Sequence, residues 1–343
     1  WSDAQVSASL AKARMEGAGS AVPNGRLMIL NVGRIGDTIL RNSILPAAFK
    51  SYATVDYVCG RHNAEIARAE MQRPGTQLRH LIVLRNTTAG FSGVMKAALR
   101  QRYDALIDLK GHASSTSLIL ASLFRSRVKT GANRRLLRPF HRDVRPVNPL
   151  GIHVLESMRR IGQLAGLPES DYRPMLLLPP DARAWFRQHY PAYQRPFIFL
   201  NISATHPVRE WTSANWAKYV QGCGLAKHPI LLNGSPHHRG RVEELAQLLP
   251  GAEVFRPLCF MDVAAAIDAS RLVLTVDTGV VHVCSAFDKP LVALYWVHHT
   301  SPGYLPLSSW QLVIRPQTGH TVMDIPPEYA IAETRRRELP APF

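Results

Sequence analysis

The sequence predicts an α/β protein made of two Rossmann-like lobes facing a central cleft. Its 343 residues suffice for about two domains at roughly 100–200 residues each. Short apolar runs alternate with amphipathic stretches along most of the chain, the pattern of a parallel sheet covered by helices. The alternation pauses at Leu167–Pro180, rich in Pro, Leu and Asp, and then restarts, which marks an interdomain linker. With 46% hydrophobic and 19% charged residues, the composition excludes a disordered chain.

Residues 1–25 read as a peripheral segment, a short polar helix over Asp3–Glu16 followed by a Gly/Pro-containing linker. The first lobe, residues 26–175, then opens with strand Leu27–Val32, turn Gly33–Asp37 and helix Thr38–Lys50. Strands follow at Val55–Cys59, His80–Leu84 and Ala105–Leu109, each with a helical stretch behind it: Asn63–Met71, Phe91–Arg102 and Ser114–Phe124. Residues 131–150 are basic and aromatic without a period and read as a loop or short hairpin before helix Ile152–Ala165. The second lobe, residues 176–343, carries strand Phe197–Asn201, helix Ser213–Cys223, strand Pro229–Asn233 and helix Gly240–Leu249. Helix Met261–Ala269, strand Leu272–Val276, helix Gly279–Phe287 and strand Leu291–Tyr295 complete the pattern. The last helix is expected to pack back on the first lobe.

The net charge of +16 is unevenly placed. Residues 1–165 hold 25 Lys and Arg against 10 Asp and Glu, and the remainder is nearly balanced. A basic half beside a neutral half suggests two partners, one of them anionic. Nucleic acid, an anionic membrane surface, a phosphorylated or carboxylated substrate, and a merely solubilising surface all fit this charge alone. No RNP-like aromatic strand or DNA-reading motif supports nucleic acid. No apolar run approaches the ~20 residues of a membrane helix, and no signal-like segment opens the sequence. Cys59, Cys223, Cys259 and Cys284 are too scattered for a CxxC pair, and no HxxxH spacing stands beside carboxylates. The expectation is a cytoplasmic protein with four reduced, mostly buried thiols, no metal and no cofactor.

Ligands of doubly wound sheets bind outside the carboxyl ends of strands, so the strand-to-helix turns carry the chemistry. In Gly33-Arg-Ile-Gly-Asp37 the glycines allow a tight turn, and Asp37 lies at or just before the helix start. It is either an N-cap or a general base. In Asp277-Thr-Gly-Val-Val-His282 the helix start at Thr278 and Gly279 suits a phosphate, and the alternative is a capping Asp with a packed His. Arg209, in His206–Thr212, is either a diphosphate ligand or a surface arginine, and the turn at Asn233-Gly234 is positioned to touch a base or ribose. Neither GxGxxG nor GxxxxGK[ST] occurs, so dinucleotide and P-loop readings lose support.

These motifs, in this order over some 300 residues, resemble glycosyltransferase family 9, the bacterial ADP-heptose:lipopolysaccharide heptosyltransferases. The resemblance is carried by Gly36-Asp37-Thr-Ile-Leu, Tyr103-Asp-Ala-Leu-Ile-Asp-Leu-Lys-Gly111, Gly151-Ile-His153 with Glu156, Arg209-Glu-Trp211, Asn233-Gly234 and Leu274-Thr-Val-Asp277-Thr-Gly-Val-Val-His282. It implies the GT-B fold and an inverting, metal-independent transfer with Asp37 as base. It further implies donor contacts from Arg209, Asn233, Gly234, Asp277, Thr278, Gly279 and His282. Arg209 stands where Lys is common, Ser43 where many members carry Pro, and Ser-Pro-His-His where some place a Glu for the donor ribose.

The expected reaction moves heptose from ADP-heptose to the anionic inner core of lipopolysaccharide. Arg34, Arg134, Arg135 and Arg138 are expected at the acceptor, and the basic face against the cytoplasmic leaflet of the inner membrane. The alternatives are a family 9 transferase with another nucleotide-sugar donor or a protein acceptor, and a non-enzymatic anion- or nucleic-acid-binding Rossmann protein. The last gives no reason for pairing Gly36-Asp37 with Asp277–His282.

Overall fold

The computed structural model describes residues 22–84, 88–145, 151–298 and 301–340. The expected helix at Asp3–Glu16 lies outside them. The chain divides into two compact units, at Leu177 and Leu178.

The first unit runs β1 (Val22–Asn31), α1 (Ile35–Arg41), α2 (Leu45–Ser51), β2 (Tyr52–Gly60), α3 (Ala64–Met71), β3 (Leu78–Leu84), α4 (Thr88–Arg100), β4 (Arg102–Asp108), α5 (Ser115–Leu123), β5 (Arg125–Gly131), β6 (Arg142–Asp143) and α6 (Val154–Ala165). Its six strands are all parallel, in the order β3-β2-β1-β4-β5-β6. The order steps outward from β1 in one direction and then resumes on its other side at β4, which puts the topological switch point between β1 and β4. Leu27, Met28, Ile29 and Leu30 are fully buried, as a strand covered on both faces requires.

The second unit runs α7 (Pro180–His189), β7 (Ile198–Asn201), α8 (Ser213–Gly222), β8 (Ile230–Asn233), α9 (Arg239–Leu248), β9 (Ala252–Val254), α10 (Phe260–Ala269), β10 (Leu272–Val276), α11 (Gly279–Phe287), β11 (Leu291–Leu294), β12 (Gln311–Ile314) and α12 (Pro327–Arg337). Its parallel sheet has the order β12-β11-β10-β7-β8-β9. Counted from its own first strand this is the topology of the first sheet, and the switch point falls between β7 and β10. Ile198, Leu200, Leu272, Leu274 and Val292 join Trp211, Trp216 and Tyr219 in one core.

Several elements depart from expectation. Strand β1 begins at Val22, not Leu27, because Val22 pairs with Tyr52 across an irregularity that absorbs Pro23 and Gly25. The helix predicted over Thr38–Lys50 is two helices joined by a 3-10 turn at Asn42–Ile44, and the first starts at Ile35. The basic stretch after Gly131 is a loop that returns as a two-residue strand parallel to β5, so it is no hairpin. Strands β5, β9 and β12 and helix α7 were not legible as elements. Arg125–Gly131 alternates charge with small residues and has no apolar run, and β9 is three residues long. Helix α12 packs on α8 and β12 of its own unit. Cys59 and Cys284 are buried, Cys223 is half-buried and Cys259 is exposed.

Candidate active site

In the first unit, the carboxyl end of β1 feeds α1 through Val32–Arg34. Arg34 is the exposed N-cap residue, and its backbone N–H donates to Asp37 Oδ2 at 3.2 Å. Asp37 therefore sits inside the first turn, third from the helix start, not ahead of it. Its Oδ2 also lies 3.8 Å from Arg41 Nη2. A Cβ on Gly33 would stand 2.6 Å from Arg41 Nη1 and 3.2 Å from Asp37 Oδ2, so the missing side chain makes room for this pair. Asn63 Nδ2 fixes the turn by donating to the Gly33 carbonyl at 2.7 Å. Below it, Asn31 donates to the Tyr57 hydroxyl, which donates to Asn42, both at 2.6 Å.

Across the switch point, the end of β4 adds Asp108, Lys110 and His112. Asp108 is fully buried and accepts the Lys110 N–H at 3.2 Å. Burial pushes its carboxyl up to about 6, against the Ser117 hydroxyl, the Lys110 N–H and the charges of Arg41 and Lys110. Lys110 Nζ donates to Ser114 Oγ at 3.3 Å, and Ser114 caps α5 by accepting the Ser117 N–H. Burial lowers the Lys110 ammonium and Arg41 adds to the shift, while Asp108 and Asp37 oppose it. His112 is lowered by burial and by Arg41 and Lys110, which favours neutral imidazole at pH 7. Asp37 thus belongs to a cluster with two cations and a neutral histidine. Arg41 and His112 escaped sequence reasoning, and Asp108 and Lys110 entered it only within the Tyr103–Gly111 motif without a site role, because the adjacency of β4 to β1 is a property of strand order. The signal was Lys110-Gly-His112 at a strand end.

Arg134, Arg135 and Arg138 are exposed on the loop after β5, at the same carboxyl edge. Arg134 donates to Ser115 at the start of α5, at 3.3 Å.

In the second unit, β10 ends directly at Asp277, which is buried. Arg209 Nη1 lies 3.4 Å from both Asp277 Oδ2 and the Asp277 carbonyl, and the guanidinium rests 5.0 Å over the Trp296 ring. Arg209 Nε is buried and has no hydrogen-bond partner among the described residues. Burial pushes the Asp277 carboxyl up, opposed first by Arg209 and then by Trp296, Arg315 and His298. Neighbours pin the segment on both sides of Arg209. Trp211, fully buried, donates Nε1 to the Ile325 carbonyl at 3.0 Å. Glu210 accepts from His238 Nε2 and from Arg241.

Thr278 is the N-cap of α11, and its hydroxyl accepts the Val280 N–H at 3.2 Å, so one donor of this helix start is already used. His282 is 4% exposed, its ring 6.2 Å from that of Tyr304. Asn233 is buried too and belongs to a cross-strand ladder. Its Nδ2 donates to Asn201 Oδ1 at 2.8 Å, and Asn201 donates to Thr275 Oγ1 at 3.1 Å. Gly234 is required by packing, since a Cβ there would lie 2.5 Å from Val242 Cγ2. Gly151, at φ +87°, and His153, whose Nδ1 accepts the Leu155 N–H, shape the start of α6. Glu156 holds Arg159 and Arg160.

A cavity of about 430 Å³ beside Tyr193, Arg195, Lys227 and Glu253 opens at the amino ends of β8 and β9, the edge of the sheet away from these clusters. Among the described residues, no group of three or more His, Cys, Asp or Glu can hold a metal. No described helix is long and apolar enough to cross a membrane.

Each unit brings these candidate side chains to strand carboxyl ends, at the point where strand order reverses, and the chain has the two Rossmann-like units of the GT-B class. The chain belongs to glycosyltransferase family 9 (heptosyltransferase), whose model matches residues 93–321. Lipopolysaccharide heptosyltransferase 1 of Salmonella typhimurium is 24% identical over 218 residues, 61% of this chain and 66% of that protein. The chain thus spans just under two thirds of this curated relative. The glycosyl transferase family 9 structure from Veillonella parvula superposes with a TM-score of 0.76 at 18% identity, covering 94% of this chain and 99% of that one. The E. coli heptosyltransferase WaaC with ADP gives 0.70 at 19%, covering 91% and 100%.

Proposed function

We propose that the protein is an inverting, metal-independent transferase that moves heptose from ADP-heptose to the anionic inner core of lipopolysaccharide. Asp37 takes the proton of the acceptor hydroxyl as that oxygen attacks the anomeric carbon. The diphosphate leaves from the opposite face, and Arg209 and the start of α11 at Thr278 and Gly279 take up its charge. Asp277 orients Arg209, Gly234 lets the donor approach the backbone, and Asn233 and His282 act from buried positions beneath. Arg34, Arg134, Arg135 and Arg138 hold anionic groups of the acceptor, and the protein works at the cytoplasmic surface of the inner membrane.

The observation that carries this reading is the Arg209–Asp277 pair. It is a partly buried guanidinium with one unused nitrogen, held beside a helix start at the switch point. Such a group suits a diphosphate better than a neutral ligand. A specific observation favours a second reading, a family 9 transferase with another nucleotide-sugar donor or a protein acceptor. In the turn after Gly234, His238 is engaged by Ser235 and Glu210, and no carboxylate of that turn is available for a ribose. A thermal-shift screen of ADP-heptose against ADP, UDP and GDP sugars tests both. Stabilisation by ADP-heptose above the others supports the first reading, and preference for another nucleotide sugar supports the second. No shift with any nucleotide sugar would remove both.

A further inference from the structure

The loop Asn133–Phe140 is hydrogen-bonded across its base and exposed at its tip. At its base, Asn133 Nδ2 donates to the Phe140 carbonyl at 3.0 Å, and the Phe140 N–H donates to Asn133 Oδ1 at 3.1 Å. Both residues are buried, and the Phe140 ring lies where any Cβ on Gly131 would fall, 2.4 Å away. The Arg134 N–H closes the inner turn on the Leu137 carbonyl at 3.1 Å. At the tip, Leu136 is 96% exposed and Leu137 44% exposed. A single exposed leucine is ordinary. Two in succession, held up by a pinned base, are a different matter. Arg134, Arg135 and Arg138 surround them, and residues 131–142 contain four arginines and no carboxylate.

We propose that this loop is a membrane-docking tip, in which Leu136 enters the headgroup region of an anionic bilayer while Arg135 and Arg138 meet lipid phosphates. Charge complementarity selects this occupant. A purely basic rim around an apolar tip matches a negatively charged leaflet, where each arginine strengthens binding by about fivefold. The inference rests on the reading above in one respect, that the acceptor is carried by lipid. Docking then brings the carboxyl edge of the first sheet down to the surface where the acceptor saccharide begins.

The test is co-sedimentation of the full chain with phosphatidylglycerol and phosphatidylcholine vesicles, beside transfer to a lipid-free acceptor saccharide. The wild type is expected to bind the anionic vesicles and not the neutral ones. Leu136→Ser is expected to weaken binding roughly tenfold, and Arg135→Gln with Arg138→Gln about 25-fold. A Leu136→Trp variant is expected to shift its emission to the blue on anionic vesicles and to be quenched by brominated acyl chains. Transfer to the lipid-free saccharide is expected to be unchanged in Leu136→Ser. Wild-type vesicle binding by Leu136→Ser, or unshifted emission from the Leu136→Trp variant, overturns the proposal. Loss of transfer to the lipid-free saccharide in Leu136→Ser also overturns it and places Leu136 itself among the acceptor contacts. Absence of transfer in the wild type counts against the proposed reaction alone, because vesicle binding is read without catalysis.

Discussion

Arg41 Nη2 stands 3.8 Å from Asp37 Oδ2, one helical turn away on α1, and Arg41 is only 4% exposed. Its Nη1 has no hydrogen-bond partner among the described residues. A buried guanidinium is costly unless it does electrostatic work, and here its counterion is the proposed base. The Arg34 N–H orients the carboxylate, and Arg41 sets a positive charge beside it.

The first consequence concerns Asp37 itself. Asp37→Asn keeps an acceptor for the Arg34 N–H, so α1 keeps its cap, but it removes the base. Turnover is expected to fall by about 10²–10⁴, with donor affinity near that of the wild type. Steady-state kinetics beside calorimetry with the donor checks this. Near-normal turnover would leave Asp37 as a helix-capping residue.

A second consequence uses Gly33. Its backbone does not need glycine's left-handed freedom, since Gly33 is absent from the positive-φ glycines. Gly33→Ala instead places a methyl group 2.6 Å from Arg41 Nη1, the far end of a long side chain. The chain is expected to adapt by moving the guanidinium, at a stability cost of about 1 kcal/mol. Loss of kcat with little change in melting temperature is the expected signature. Unchanged kcat would mean that Arg41 does not position Asp37.

Arg209 gives the third. Arg209→Ala removes the charge and also leaves buried Asp277 without its leading countercharge, so its carboxyl rises further. Donor affinity is expected to drop by about 10- to 150-fold. Arg209→Lys keeps the charge and is expected to retain most of it. Equal losses in both variants, measured by calorimetry, would show that the fork geometry over Trp296, and not the charge, binds the donor.

The two turns that organise the site, Gly33–Asp37 and Asp277–His282, were legible because each joins a short apolar run to an amphipathic stretch. Such a junction constrains the backbone locally. The long-range part was not legible. Nothing local says that β4 lies beside β1, so the approach of Lys110 and His112 to Asp37 could not be read from spacing. Burial was equally hidden. His282 and Asn233 have the polarity of ligand contacts, but only the structure shows that both are buried and that Asn233 bonds to Asn201 on the neighbouring strand. Strand β5 escaped because its exposed, charged residues resemble a loop, and parallel pairing with β4 and β6 makes it a strand.

The last prediction follows from Asp108. Its carboxyl lies at about 6 in the fold against 3.8 for the free side chain, and burial is the leading cause. A raised acid favours the protonated form in the native state, so its contribution to stability is complete below pH ~3.8 and fades as pH climbs through about 6. A shift of about two units corresponds to roughly 3 kcal/mol. Asp108→Asn keeps an oxygen for the Lys110 N–H without a charge to bury. The variant is expected to exceed the wild type in stability at pH 7.5 by up to about 3 kcal/mol, with the gap narrowing between pH 6 and pH 4. Urea unfolding of both proteins across that range reads the difference directly. A variant less stable than the wild type at pH 7.5 would show that the charges of Arg41 and Lys110 outweigh the cost of burying the ionised Asp108 carboxylate. Neutralising it would then raise the potential at Asp37, and the acid limb of the pH–rate profile would move down.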